Sequence, residues 1–477
     1  MEAEDGALRG IDSAPAANYA VWCGAGVLML GLLLAPALWN GFPLLQHDTG
    51  GYLARWYEGY LVPSRPAAYG LLLAATTHVS FWPVVVLQAA ATLWILALLL
   101  RELGLGRRPL LLLAVVAVLT FATTLPWLTS ILLTDTFAGL AVLALHLLVF
   151  GRTPGAWERR ALTAFIALAA ATHSATLALL GVLAAGAMVA ALLTDRVIPA
   201  RGGPRAGIAV VLGVTVTLGA NAIVAGYPAF TPGGFGILFG RLLQDGIVSR
   251  YLRDHCPDVS LKLCPYRGEI PLDADAFLWG NSVFNRLGRF AGLGDEMRTI
   301  VLGSLRDYPL LQAETAAAAT VSQLGKVATG EGVINQIWHT YGIIQRYTPE
   351  VVPAMRAARQ QHRNIDFAAI NRVHVPVALM AMALLPILLT AGARWPELGA
   401  LRTLAATILL ALLANAFLCG ALSNPHDRYG ARLIWLAPLI MLLVPILAFR
   451  PELDGLRRRW TTAWRAAIGV QLLRRAD

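Results

Sequence analysis

Leu-, Ala- and Val-rich runs follow one another from about residue 18 to residue 449, and the arginine-rich connectors between them all fall on one side. The connectors are 101–108, 152–160, 196–205, 394–402 and the tail from 450. Most of the runs reach about 18–20 residues, enough to cross a hydrocarbon layer of about 30 Å. The positive-inside bias assigns the connectors to the cytoplasm. On that assignment Asp48, Asp135, His173, His426, Arg428 and the long segment 227–372 gather at the opposite face. A chain that is 57% hydrophobic and 14% charged lies outside the range of soluble domains. The net charge of +10 raises the question of nucleic acid. The arginines, however, flank apolar runs and do not interleave with aromatics, so lipid headgroups are the expected partners and nucleic acid is not.

The expected architecture is an all-α polytopic membrane protein with about ten spans. They cover 20–39, 82–100, 110–127, 131–150, 161–172, 175–193, 207–226, 373–392, 401–420 and 430–449. The run 161–193 would make one helix of about 50 Å at 1.5 Å per residue, so a turn is placed at Thr172-His173-Ser174. Three regions follow: a membrane module 1–226 with an outer loop at 40–81, a mainly helical periplasmic segment 227–372, and C-terminal helices with a basic tail, 373–477. Within 40–81, the apolar stretch 67–79 is expected to lie in the interface. Residues 1–18 lack a basic n-region, so the first run is expected to be an uncleaved anchor. Leu/Ala/Arg richness suggests a bacterium, hence the inner membrane, with both termini cytoplasmic. Cys256 and Cys264 share the outer segment and are expected to pair. Cys23 and Cys419 fall in spans, and there is no zinc-type spacing.

Four places carry candidate chemistry. His47-Asp48-Thr49-Gly50-Gly51-Tyr52 follows the first span; there Asp48 can take a proton, hold a divalent cation such as Mg or Mn, or simply cap a helix. Asp135 stands at the outer end of the fourth span, where a role beside Asp48 competes with an N-cap by Thr134 or Asp135. His173 is a turn residue or a member of the same cavity. In 423–429 the run Pro425-His426-Asp427-Arg428-Tyr429, with Arg432 one turn on, presents two guanidiniums on one helix face, suited to phosphate. The competing role there is Asp427 as a cap paired with an arginine, and Arg65 before Pro66 is a second phosphate ligand. Gly-x-Ser-x-Gly, Walker A and HExxH motifs are all missing from the sequence.

Taken together, Asp48 after the first span, Arg65-Pro66, the hairpin at His173 and the closing His426/Arg428/Tyr429 loop resemble the type C glycosyltransferase superfamily. The resemblance implies inverting transfer of a sugar from a polyprenyl-phosphate donor to a glycan, lipid or protein acceptor at the outer face. It places Asp48 in the catalytic-loop position, with His47, Tyr52, Arg65, His173, His426, Arg428, Tyr429 and Arg432 as substrate contacts and Asp135 as a second catalytic carboxylate. The chain departs from the pattern in having no acidic pair in the first loop and in carrying its outer segment between spans seven and eight. Two alternatives stay open. One is an O-antigen ligase- or polymerase-like transferase relying on Arg286, Arg289 or His339; the other is a non-enzymatic role, as a lipid or solute transporter or as an envelope assembly protein.

Overall fold

The computed structural model describes residues 14–106, 108–193 and 202–449. The expected acidic start, the basic tail and most of the connector 196–205 lie outside these residues. Among the described residues the fold is helical without strands; Leu44 with Ile131 and Val62 with Arg65 form isolated bridges. This is a multi-pass helical membrane protein. Among the described residues six helices are long and apolar enough to cross a bilayer: Trp82–Glu102, Ser174–Leu192, Gly203–Ala225, Phe367–Thr390, Pro396–Ala421 and Asp427–Ala448. The expected count of about ten is not reached. Tyr19–Leu33, Pro109–Ala122 and Asp135–Phe150 are apolar but shorter, and Ala156–Thr172 begins with charged residues.

Burial explains why the short helices persist. Every residue of Asp135–Phe150 except Phe150 is buried, so this helix is enclosed by protein and needs no match to lipid thickness. Gly203–Ala225 is apolar all round yet mostly uncovered by the protein, as a lipid-facing helix is. The run 161–193 is broken at His173, whose extended backbone separates Ala156–Thr172 from Ser174–Leu193.

The apolar residues of 227–372 divide between two cores. Phe239, Leu243, Ile247, Phe277, Phe284 and Met297 centre a separate small lobe. Its loop is closed by a Cys256–Cys264 disulfide, and the Glu296 carboxylate accepts from the backbone of Lys262 and Leu263, both at 2.9 Å. The later residues Val327, Val333, Ile337, Ile344, Val351 and Met355 join the main core instead. Two long helices of the segment, Arg289–Asp307 and Pro309–Gly325, adjoin and do not merge, because Pro309 supplies no backbone donor and starts a new one.

Three buried polar side chains fasten the segments around 40–50 and 128–132 to their neighbours. The Gln88 amide donates to the Ile131 and Thr129 carbonyls (2.9 and 3.1 Å), fixing the turn before Asp135. Gln360 donates to the Leu45 carbonyl at 2.8 Å and accepts from the Leu45 N–H at 3.0 Å. The Thr340 hydroxyl lies 3.0 Å from the Gln46 and His47 carbonyls and accepts from the Gly50 N–H. Leu44 exchanges backbone bonds with the 130–132 stretch, both 2.9 Å, which sets Asp48 and Asp135 side by side. Each such buried bond contributes about 1 kcal/mol net, and breaking one leaves a costlier unpaired group.

Candidate functional site

Asp48 lies in the first turn of the helix His47–Glu58. The cap is Gln46, whose side chain accepts from the Asp48 N–H at 2.7 Å and whose own N–H is held by Thr49. The Asp48 carboxylate is thereby released from capping, against the capping alternative. It takes two guanidiniums instead, Arg65 on one oxygen and Arg428, at 2.6 Å, on the other. Gly50 and Gly51 serve this packing: a side chain at Gly50 would meet Thr340, and one at Gly51 would meet Arg65. Burial pushes the Asp48 carboxyl up, but the charges of Arg65 and Arg428 overcome it and hold the group well below the usual carboxylate range.

Arg428 joins two acids. Its Nε lies 3.6 Å from Oδ2 of Asp135, which is 3% exposed. Neither Thr134 nor Asp135 makes a side-chain capping bond, against the capping alternative: Asp135 is a buried acid facing an arginine. Among the described residues Asp135 Oδ1, Arg65 Nε and Arg428 Nε are buried without a hydrogen-bond partner. Three orphaned polar atoms around one carboxylate pair are unusual in a packed interior and mark a place that can receive polar ligand atoms.

Sequence reasoning missed Glu331, which organises the other side. One oxygen accepts from His426 Nδ1 at 2.8 Å, and the other accepts from the Arg428 N–H at 2.7 Å. The helix Asp427–Ile434 has no side-chain cap of its own, so Glu331 supplies one from a distant loop and fixes the Arg428 backbone. The only signal was a lone acid in Gly330-Glu331-Gly332, two glycines with positive φ. Gln323 clamps His426 further, donating to its carbonyl and accepting from its N–H, both at 2.9 Å. Asp427 accepts from the Ala328 N–H at 2.9 Å and, among the described residues, pairs with no arginine, contrary to the capping alternative. At Gly430 the helix passes so close to the Lys326 carbonyl that any Cβ would collide with it.

The other expected residues divide. Tyr429 lies under the Arg428 and Arg432 guanidiniums, 5.2 and 5.7 Å from its ring centroid, and edge-on to His426. The Tyr52 hydroxyl is buried, 3.4 Å from Thr134. His47 is exposed at the helix start and contributes its carbonyl, not its ring. Arg432 is fully buried, bonded to Asn415 at 2.6 Å and near Cys419, with its Nη1 left without a partner, so it supports the site from behind and is not exposed at the surface. His173 is buried and accepts from the Ala175 N–H at 3.2 Å; it is close enough to feel the charges of Arg432 and Arg428 but bonds to neither. Trp279 of the small lobe stands 5.7 Å from the Arg65 guanidinium, and Asp275 lies 3.4 Å from His426 Nε2.

The donor set does not suit Mg or Mn. Guanidiniums hold both Asp48 oxygens, and no three His, Cys, Asp or Glu residues group together among the described residues.

The hydrogen bond to Glu331 raises the His426 imidazole above its ordinary value despite burial; the Glu331 and Asp275 charges add to this and Arg428 opposes it. A raised histidine contributes fully below about pH 6.5 and loses its contribution as pH rises through the raised value. Glu331 is lowered: burial pushes it up, but the bonds from His426 and the Arg428 N–H win. Its contribution is lost only as pH falls through that lowered value. Thermal melts in detergent should therefore show about 1 kcal/mol lost between pH 6 and 9, and His426→Gln should flatten the profile. A wild-type curve identical to that of His426→Gln would remove this ion pair from the account.

Comparison with protein-family models, curated proteins and solved structures finds no match to this chain.

Proposed function

We propose that this protein is an inverting glycosyltransferase, of the type C kind, that takes a sugar from a polyprenyl-phosphate donor at the outer face of the membrane. The observation that carries the proposal is the convergence of Arg65 and Arg428, far apart in sequence, on the single Asp48 carboxylate. A carboxylate and a phosphate offer guanidinium the same paired oxygens. Asp48 thus occupies, in the empty site, the position of the donor phosphate, and an arriving phosphate exchanges with it. Both guanidiniums are then in place to stabilise the charge that develops on the leaving phosphate. The prenyl chain lies along the bilayer, beside helices that present apolar faces to lipid.

The outer-face assignment rests on the basic connectors and on the Cys256–Cys264 disulfide, which belongs to the same lobe as Trp279 over Arg65. Of the residues named for the ligase-like alternative, Arg286 is paired with Glu269 and Arg289 with Asn285, on the exposed side of the small lobe, while His339 is exposed and close enough to Arg65 and Asp48 to feel their charges.

The test is a transfer assay in membranes with a panel of radiolabelled polyprenyl-phosphate sugars. Binding and consumption of one donor are expected. Membranes rich in the protein that neither bind nor consume any of them would refute the proposal.

A further inference from the structure

We infer that Asp135, not Asp48, is the general base, and that the cavity beside Asp135 receives the acceptor hydroxyl. The inference rests on the transferase reading and adds to it a base and an acceptor site.

Asp48 and Asp135 differ in what they have free. Both Asp48 oxygens are held by arginines, whereas Asp135 Oδ1 is buried without a partner. A carboxylate shared by two guanidiniums is a weak base, because proton uptake must displace two ion pairs. The one ion pair of Asp135, to Arg428 Nε, engages its other oxygen. That pair favours the ionised form a base requires and leaves Oδ1 for a hydroxyl.

A cavity of about 40 Å³ adjoins this group, room for a few waters or for a hydroxyl and the carbon that bears it. Asp135, Glu331 and Arg428 make its charged end, and Leu44, Trp127, Leu128, Ile131, Val333 and Phe367 are among its apolar walls. Trp127 and Phe367 meet edge to face, with centroids 4.9 Å apart. Such a site takes a hydroxyl borne on a C–H-rich face, either of a sugar ring or of a lipid. Arg428 touches the phosphate position through Nη1 and the base through Nε, so one side chain couples the two halves.

In the reaction the acceptor O–H gives its proton to Asp135, and the oxygen forms a bond to the anomeric carbon. The bond from that carbon to the phosphate oxygen breaks, and its electron pair goes to the phosphate held by Arg65 and Arg428. Asp135 later releases the proton to solvent. Atoms and charge balance without a further reactant.

Azide separates base catalysis from structural support, because it is a small nucleophile with no proton to lose. Membranes from the source cell, carrying endogenous acceptors, would be assayed with the radiolabelled polyprenyl-phosphate sugar panel with and without azide. Asp135→Asn is expected to bind donor as the wild type does and to transfer about 100- to 10,000-fold more slowly. Azide should restore donor consumption and yield the glycosyl azide of inverted configuration. Trp127→Ala should lose transfer to cellular acceptors and keep the azide reaction. Label recovered in the lipid extract identifies a lipid acceptor, and label in the extracted residue a glycan; either fits the cavity. An Asp135→Asn protein that transfers normally, that fails to bind donor, or that binds donor but gives no azide product overturns the assignment while the wild type still supports the transferase reading. A wild type that binds and consumes no donor overturns both.

Discussion

Arg428→Ala is expected to lose donor binding by 100-fold or more and to reduce transfer to background. The side chain pairs with both Asp48 and Asp135. Removing one partner of a buried charge pair costs about 3–5 kcal/mol, mostly through the charges left behind, and here two acids lose their counter-ion together. The donor phosphate loses a charge-assisted bond at the same time. Equilibrium binding of a radiolabelled polyprenyl-phosphate sugar to detergent-purified protein measures the loss directly. Arg286→Ala is the matched control, since that exposed arginine pairs with Glu269 and lies over Tyr266 in the small lobe, and its loss should leave binding unchanged. Equal binding by wild type and Arg428→Ala would remove the phosphate site from this part of the molecule.

For Asp48→Asn the expected effect is on stability and affinity, not on the chemical step. The substitution leaves Arg65 and Arg428 facing one another without the charge between them. The empty protein should lose about 1–3 kcal/mol, below the fully buried range because all three side chains are partly exposed. Added polyprenyl phosphate should restore the melting temperature, since a ligand that binds only the folded state stabilises it by mass action. Donor affinity should rise, because the internal competitor is gone. The pH behaviour follows from the depressed Asp48 carboxyl. Its contribution is complete above the ordinary value of about 3.9 and is lost only as pH falls through the folded value, so the gap between wild type and variant should be constant from about pH 5 to 8. A variant of normal stability and affinity that lacks transfer and regains turnover with azide would make Asp48 the base after all.

The parts of the site that were readable from sequence share one property: each is a charge that a membrane chain does not carry without cause. Asp48, Asp135, Arg65 and Arg428 stand out because ionisable groups beside apolar runs are costly. The turn at His173 was readable for a related reason, since the run 161–193 exceeds one bilayer crossing and offers a single polar break. The number of crossings was less accessible. Hydropathy alone does not distinguish a helix that faces lipid from one such as Asp135–Phe150, which is wrapped in protein and can be shorter.

Apolar run length and flanking charge are local quantities, and they suffice for a helical membrane chain with its costly charges named in advance. Who pairs with whom is not local. Arg428 meets Asp48 across 380 positions, and Glu331 reaches His426 across 95, through bonds made by Gln88, Gln360 and Thr340 that no spacing announces. The same limit hid the burial of Arg432 behind Tyr429, the outward turn of His47 and the free oxygen of Asp135. A residue's type states what it can bond, whereas packing decides which bonds are already taken, and the chemistry left to a site is the remainder.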